Sequence, residues 1–205
     1  MDSNIGAKER VTQKRLIGLF QDVLEYDYLG NWEYRESNSN VEETLLRRYL
    51  KRRKYADKEI DKAVAKFKQA AANIGAGLYN ANREVYTLLR YGVNVQSDVS
   101  EYKKTVHLID WTNPMENDFQ IAEEVTVQGK SDRRPDLVVY VNGIAVAVIE
   151  LKRSTVSVHE GIRQNIRNQQ DEYIPRFFTT VQLLCAGNDT EGLHYGVIKT
   201  PEKFW

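Results

Sequence analysis

The 205 residues are enough for one large or two small domains with a real core. The 29 Lys and Arg are matched by 29 Asp and Glu, so net charge carries no nucleic-acid signal and any polyanion-binding surface must be local. One cysteine, Cys185, excludes a disulfide framework or a zinc pattern; with no apolar run of membrane-spanning length and no signal-peptide stretch, a soluble, reducing, cytoplasmic setting is expected.

In chain order, Arg15 through Leu24 has the apolar spacing of a helix, and Tyr26 to Glu36 is aromatic and irregular. Ser39 or Asn40 is a suitable N-cap for a helix from Val41 to about Arg53, with Glu42 and Glu43 in its first turn. A third helix is expected over Asp57 to Asn73, and a fourth from about Asn80 to Tyr91, ended by Gly92. Strand character follows at Val93 to Val95, Thr105 to Trp111 and Phe119 to Val127. A polar helix is expected from about His159 to Phe178, interrupted or bent near Pro175, then a buried strand at Val181 to Ala186 with Leu193 to Ile198 paired to it. The order predicts one α/β domain: a mixed central sheet flanked by helices, with a helical N-terminal part (about 1–92) and a sheet-containing core (about 93–205).

The centre of this pattern is a hairpin. Leu137 to Val141 and Ile144 to Ile149 are almost wholly apolar and are joined by Asn142-Gly143, the strongest local hairpin signal. Asp136 precedes the first strand, and Glu150 and Lys152 follow the second on one face of the chain. With a strict two-residue loop, Asp136 would oppose Ile149 and lie on the other face from Glu150. A three-residue loop, Val141-Asn142-Gly143, pairs Tyr140 with Ile144 and sets Asp136 opposite Val148, so that all three charged groups share a face. That bulged loop is the expectation. Acids at strand ends usually serve as simple caps. Two acids and a lysine converging on one spot are instead the equipment for holding a divalent cation beside a phosphodiester. His107, His159 and His194 are too scattered to form a metal trio.

Pro135-Asp136 with Glu150-Leu151-Lys152 resembles the PD-(D/E)XK nuclease core. The longer run Arg134-Pro135-Asp136 through Val141-Asn142-Gly143 to Glu150-Leu151-Lys152 resembles the N-terminal nuclease region of the restriction (R, HsdR) subunit of type I restriction-modification enzymes. Asp27-Tyr28-Leu29-Gly30 with Ser39-Asn40-Val41-Glu42, the Gln-rich segment Ile162 to Phe178, and Gly187-Asn188 through Gly192-Leu193-His194-Tyr195-Gly196 to Trp205 resemble further stretches of that region. The resemblance implies a restriction-endonuclease-like fold and a Mg²⁺-dependent endonuclease that cuts double-stranded DNA. It also implies modification (HsdM) and specificity (HsdS) subunits as partners. ATP would serve only the full-length subunit, since no phosphate loop or helicase acid box is present and the chain reads as a fragment without the motor.

By the same resemblance, Asp136 and Glu150 bind the metal with the carbonyl of Leu151 as an added ligand, and Lys152 orients or deprotonates the attacking water or neutralises the phosphate. Glu42 matches an additional helix-borne glutamate, with Glu84 as second candidate. Gln169 and Tyr173 supply a Gln-x-x-x-Tyr pair, whereas Gln164 is followed four residues later by Asn168. Arg134, Arg153, Arg163 and Arg167 are the expected phosphate contacts, with Arg133 beside them. The basic run Arg47 to Lys54 reads more readily as a solvated helix end. The competing readings are a non-catalytic fold kept for DNA holding or motor docking, and a free-standing repair nuclease.

Overall fold

A computed structural model describes residues 5–96 and 102–205. Helices α1 (Ile5–Gly18, extended by a π-helical turn to Val23), α2 (Glu43–Arg52), α3 (Asp57–Ala72), α4 (Leu78–Tyr91) and α5 (Val158–Asn168) surround strands β1 (Asp27–Asn31), β2 (Val93–Val95), β3 (Lys104–Val106), β4 (Phe119–Glu123), β5 (Leu137–Val141), β6 (Ile144–Leu151), β7 (Leu183–Asn188) and β8 (Gly192–Gly196). Six strands form one mixed sheet in the order β1-β4-β5-β6-β7-β8; β2 and β3 form a separate two-stranded sheet. The fold is thus the expected α/β architecture.

The hairpin β5–β6 is central, as its apolar sequence predicts. Val138, Tyr140, Ala145 and Val148 pack on one face with Phe177, Phe178, Val181 and Leu184. Leu137, Val139, Ala147 and Ile149 face the other way, under Ile17 of α1. At the turn end, Val141 and Ile144 enter the core built by α2, α3 and α4. Strand β7 runs parallel to β6, reached through α5, and β8 returns antiparallel to it.

Several expected elements change on folding. The irregular stretch after Tyr26 contains edge strand β1, parallel to β4. The strand at 119 stops at Glu123 because Glu124 takes a left-handed backbone, φ 51°. The strand expected over Thr105 to Trp111 is shorter and pairs with β2, apart from the main sheet. The long polar helix ends at Asn168; residues 169–176 form turns, followed by a short 3₁₀ turn at Phe177–Thr179.

The hairpin register also differs from the expectation, by a route that preserves its consequence. The loop is a strict two-residue turn: Val141 pairs with Ile144, and Asn142 and Gly143 are both left-handed at φ 53° and 79°. Its geometry is held from within the core, where the Asn142 amide donates to the Leu108 carbonyl and to Asn117 Oδ1, at 2.8 Å each. The extra residue lies inside β6 instead. Tyr140 pairs with Ala145 but Val139 pairs with Ala147, leaving Val146 as a bulge. Leu137 therefore meets Ile149, and Asp136 comes opposite Glu150 rather than Val148. One bulge restores the parity that the two-residue turn alone would have broken.

Candidate active site

Asp136, Glu150 and Lys152 come together at the end of the hairpin remote from its turn. Glu150 is fully buried. Asp136 is half-buried and its Oδ2 accepts the backbone N–H of Leu151 at 2.6 Å, which ties the start of β5 to the end of β6. Lys152 is half-buried; its backbone N–H donates to the Gly187 carbonyl at 2.8 Å and its Nζ donates to the Leu151 carbonyl at 2.9 Å.

The site has a floor made by α5. Gln164 Nε2 donates to Glu150 Oε2 at 2.7 Å, and Asn168 Nδ2 lies 3.5 Å from Oε1. These residues are four apart on one helical face. The helix approaches β6 closely because residue 161 is glycine: a Cβ there would lie 3.1 Å from Ala186 Cβ and 3.5 Å from Lys152 Cγ. The N-terminus of α5 is fixed by the β7–β8 turn, whose Glu191 Oε2 accepts the N–H of Val158 at 3.1 Å, and by its own N-cap Ser157, whose Oγ accepts that of His159 at 3.3 Å.

Burial holds the Glu150 carboxyl well above the usual carboxylate range. The negative charge of Asp136 and a hydrogen bond with its side chain raise it further, Glu124 adds to this, and the Lys152 ammonium opposes it. Two carboxyls in contact, one without solvent, favour either a shared proton or a cation. Mg²⁺ takes oxygen ligands, keeps several waters and needs only one or two carboxylates, so this donor set fits it. Among the described residues no group of three or more His, Cys, Asp or Glu side chains is arranged to hold a metal, so any cation here relies on two carboxylates and water. The Leu151 carbonyl, an expected ligand, already accepts the lysine ammonium.

Beyond Asp136 opens a pocket of about 460 Å³ lined by Gln13, Glu33, Glu123, Glu124 and Arg134. Gln13 of α1 bridges two acids, donating to Glu123 Oε2 at 2.9 Å and Glu124 Oε1 at 3.1 Å.

Other expected site residues lie elsewhere. Glu42 is at the opposite end of the hairpin: its backbone N–H bonds the Gly143 carbonyl at 2.8 Å and its carboxylate pairs with Arg35 at 2.6 Å. From Ile144 to Glu150 the strand covers roughly 20 Å, so Glu42 does not reach the Asp136–Glu150 pair. Glu84 is exposed on α4, near Lys66 and Asn94. Gln169 misses the site because α5 ends at Asn168: Gln169 Nε2 donates to the Asn165 carbonyl and its Oε1 accepts from Lys199 N. Tyr173 lies beyond the helix, where four-residue spacing no longer sets a face, and stacks under the Arg133 guanidinium at 3.9 Å. Gln164, weighed as the alternative, is the glutamine that touches Glu150. Asn168, four residues after Gln164 on the same helical face, takes the place of the tyrosine and is buried there together with Asn165.

Of the arginines, Arg134 is committed to Glu33 and to Glu124 (2.8 Å), and Arg163 to Glu160 (2.9 Å) and Glu202 (3.0 Å). Arg153 and Arg167 make no ion pair with a described residue. In the basic run after residue 46, Arg47, Lys51, Arg52 and Arg53 are paired with Asp61, Asp57, Asp118 and Asp110.

A mixed sheet with two carboxyls and a lysine at the end of its central hairpin defines a restriction-endonuclease-like α/β domain. The sequence profile of the family described as type I restriction enzyme R protein N terminus matches residues 6–203, and the chain belongs to that family. It is similar to the putative type I restriction enzyme MjaIXP endonuclease subunit of Methanocaldococcus jannaschii, with 29% identity over 78% of this chain and 16% of that protein. The type I restriction enzyme SsaAORF53P endonuclease subunit of Staphylococcus saprophyticus is 27% identical over 56% of this chain and 12% of its own length. The putative MjaVIIP endonuclease subunit of M. jannaschii is 36% identical over 48% and 9%. The chain thus spans about a sixth or less of the length of these relatives.

Proposed function

We propose that this chain is the Mg²⁺-dependent endonuclease domain of a type I restriction R subunit and that it cleaves double-stranded DNA. The observation that carries this reading is the hydrogen bond between the buried Glu150 carboxyl and Asp136, with the Lys152 ammonium near enough to act on Glu150 electrostatically and Gln164 bracing it from behind. Family membership and the names of the relatives support the restriction setting. In that setting, modification and specificity subunits supply assembly and sequence choice, and ATP-driven chemistry belongs to the remainder of a full-length subunit.

Asp136 and Glu150 would hold the cation, with Gln164 fixing the orientation of Glu150 so that one oxygen faces it. Bound Mg²⁺ supplies Lewis acidity toward a phosphodiester oxygen and lowers the pKa of a water nucleophile. Lys152, whose positive charge acts on Glu150, would stabilise the negative charge that the attacked phosphate gains. The buried floor excludes bulk water from the Glu150 side and strengthens each of these electrostatic contacts. Arg153 and Arg167, which make no ion pair with a described residue, are the arginines best placed for backbone phosphates; Arg134 and Arg163 are held by acids.

The test is Asp136→Ala in an assembled enzyme. DNA cleavage is lost while ATP hydrolysis and translocation continue; loss of all three, or unchanged cleavage, overturns the proposal.

A further inference from the structure

Gln169 is buried yet lies outside the cluster at Glu150, and its amide is used at both ends. Nε2 donates at 3.0 Å to the carbonyl of Asn165, one of the four α5 carbonyls left without a helical partner. Oε1 accepts the backbone N–H of Lys199 at 2.9 Å. The same segment is fastened at a second point, where Glu202 bonds Arg163 and His159 on the outer side of α5 at 3.0 and 3.2 Å. Trp205 completes it, packing against the Val158, Ile162 and Ala186 cluster under the helix. The inner side of this helix carries Gln164 and Asn168, the two amides at Glu150.

We infer that Gln169 is a positioning residue: it splices the segment around Lys199–Trp205 onto the last turn of α5 and thereby sets where Gln164 meets Glu150. No other side chain of similar length does both jobs. Glutamate keeps the acceptor for Lys199 but sets a carboxylate against the Asn165 carbonyl, and methionine removes donor and acceptor together. Strain or displacement of the 199–205 segment therefore reaches the carboxyl pair through one short helix, with no intervening loop. The cation-binding consequence rests on the proposed function; the positioning itself does not.

The experiment uses the 205-residue chain with Gln169→Met, Glu202→Gln on the surface as a second perturbation of the same segment, and Val64→Ala in α3 as a control for general destabilisation. The first readout is the side-chain amide resonance of Gln164, which reports its bond to Glu150 without metal. The second is Mg²⁺ affinity by titration calorimetry. The Gln164 resonance moves in Gln169→Met, moves less in the same direction in Glu202→Gln, and stays put in Val64→Ala. Mg²⁺ affinity falls about tenfold in Gln169→Met, the low end of what loss of an outer-shell partner costs. An unmoved Gln164 resonance in both segment variants overturns the inference, and Glu202→Gln decides it alone if Gln169→Met does not fold. Absence of Mg²⁺ binding by the unsubstituted chain would count against the proposed function, while the resonance still judges the positioning.

Discussion

Replacing Glu150 by glutamine stabilises this domain in the absence of divalent metal. The carboxyl has no solvent exposure, and its pKa is raised by burial first and by Asp136 second. Glutamine keeps the volume, so no cavity opens, and its amide can still pair with Gln164 after an amide flip. Leaving a buried polar group imperfectly compensated costs about 1–3 kcal/mol, which sets the gain on removing the charge. For a chain of this size each kcal/mol moves the melting temperature by about 2–4 °C, so Glu150→Gln raises it by roughly 2–12 °C at pH 8. The sign of the pH dependence follows from linkage. A carboxyl whose folded pKa exceeds its unfolded value contributes stability that is complete below the unfolded value, near 4.5, and is lost as pH rises toward the folded one. The advantage of the glutamine variant is therefore small at pH 4.5 and grows toward pH 8. Thermal denaturation across that range, in EDTA, measures it. A variant less stable than the parent at pH 8, or an advantage independent of pH, would refute the reasoning.

Three other outcomes are expected. Gly161→Val drives a branched side chain into Ala186 and Lys152, costs about 1–3 kcal/mol by overpacking, and lowers the melting temperature measured by circular dichroism. Arg153→Ala or Arg167→Ala reduces the salt dependence of DNA binding by about one unit of log–log slope in fluorescence anisotropy, whereas Arg163→Ala leaves it unchanged because that guanidinium is already paired. Burial pushes the Cys185 thiol up to about 11, so it resists an aromatic disulfide reagent at pH 8 in the folded chain and reacts fully in denaturant.

How much was legible in the sequence depends on whether the signal was local. The Asn142-Gly143 turn, the two apolar strands, and helices α3 and α4 with the Gly92 stop are short-range features, and they fold nearly as read. The Val146 bulge was not legible, because β6 is apolar on both faces and a run without alternation carries no phase information. The same bulge brings Asp136 and Glu150 together despite a turn that would separate them. Glu42 was misplaced because its motif resemblance says nothing of which end of the hairpin α2 docks on; the Gly143 contact with Leu45 and Glu42 decides that. Gln169 looked suitable only while α5 was extended past Asn168. Arg134 and Glu33 are 101 residues apart in sequence and Arg52 and Asp118 are 66 apart, so no local pattern distinguishes these arginines from available ones.

The central claim is tested most directly by crystals soaked in Mn²⁺ and examined by anomalous scattering, with a short DNA duplex bound. The expected result is one cation peak within coordinating distance of both the Asp136 and Glu150 carboxylates, with a phosphate oxygen beside it and the Lys152 ammonium adjacent. Saturating Mn²⁺ that leaves the two carboxyls in mutual contact, with no peak between them, would contradict it.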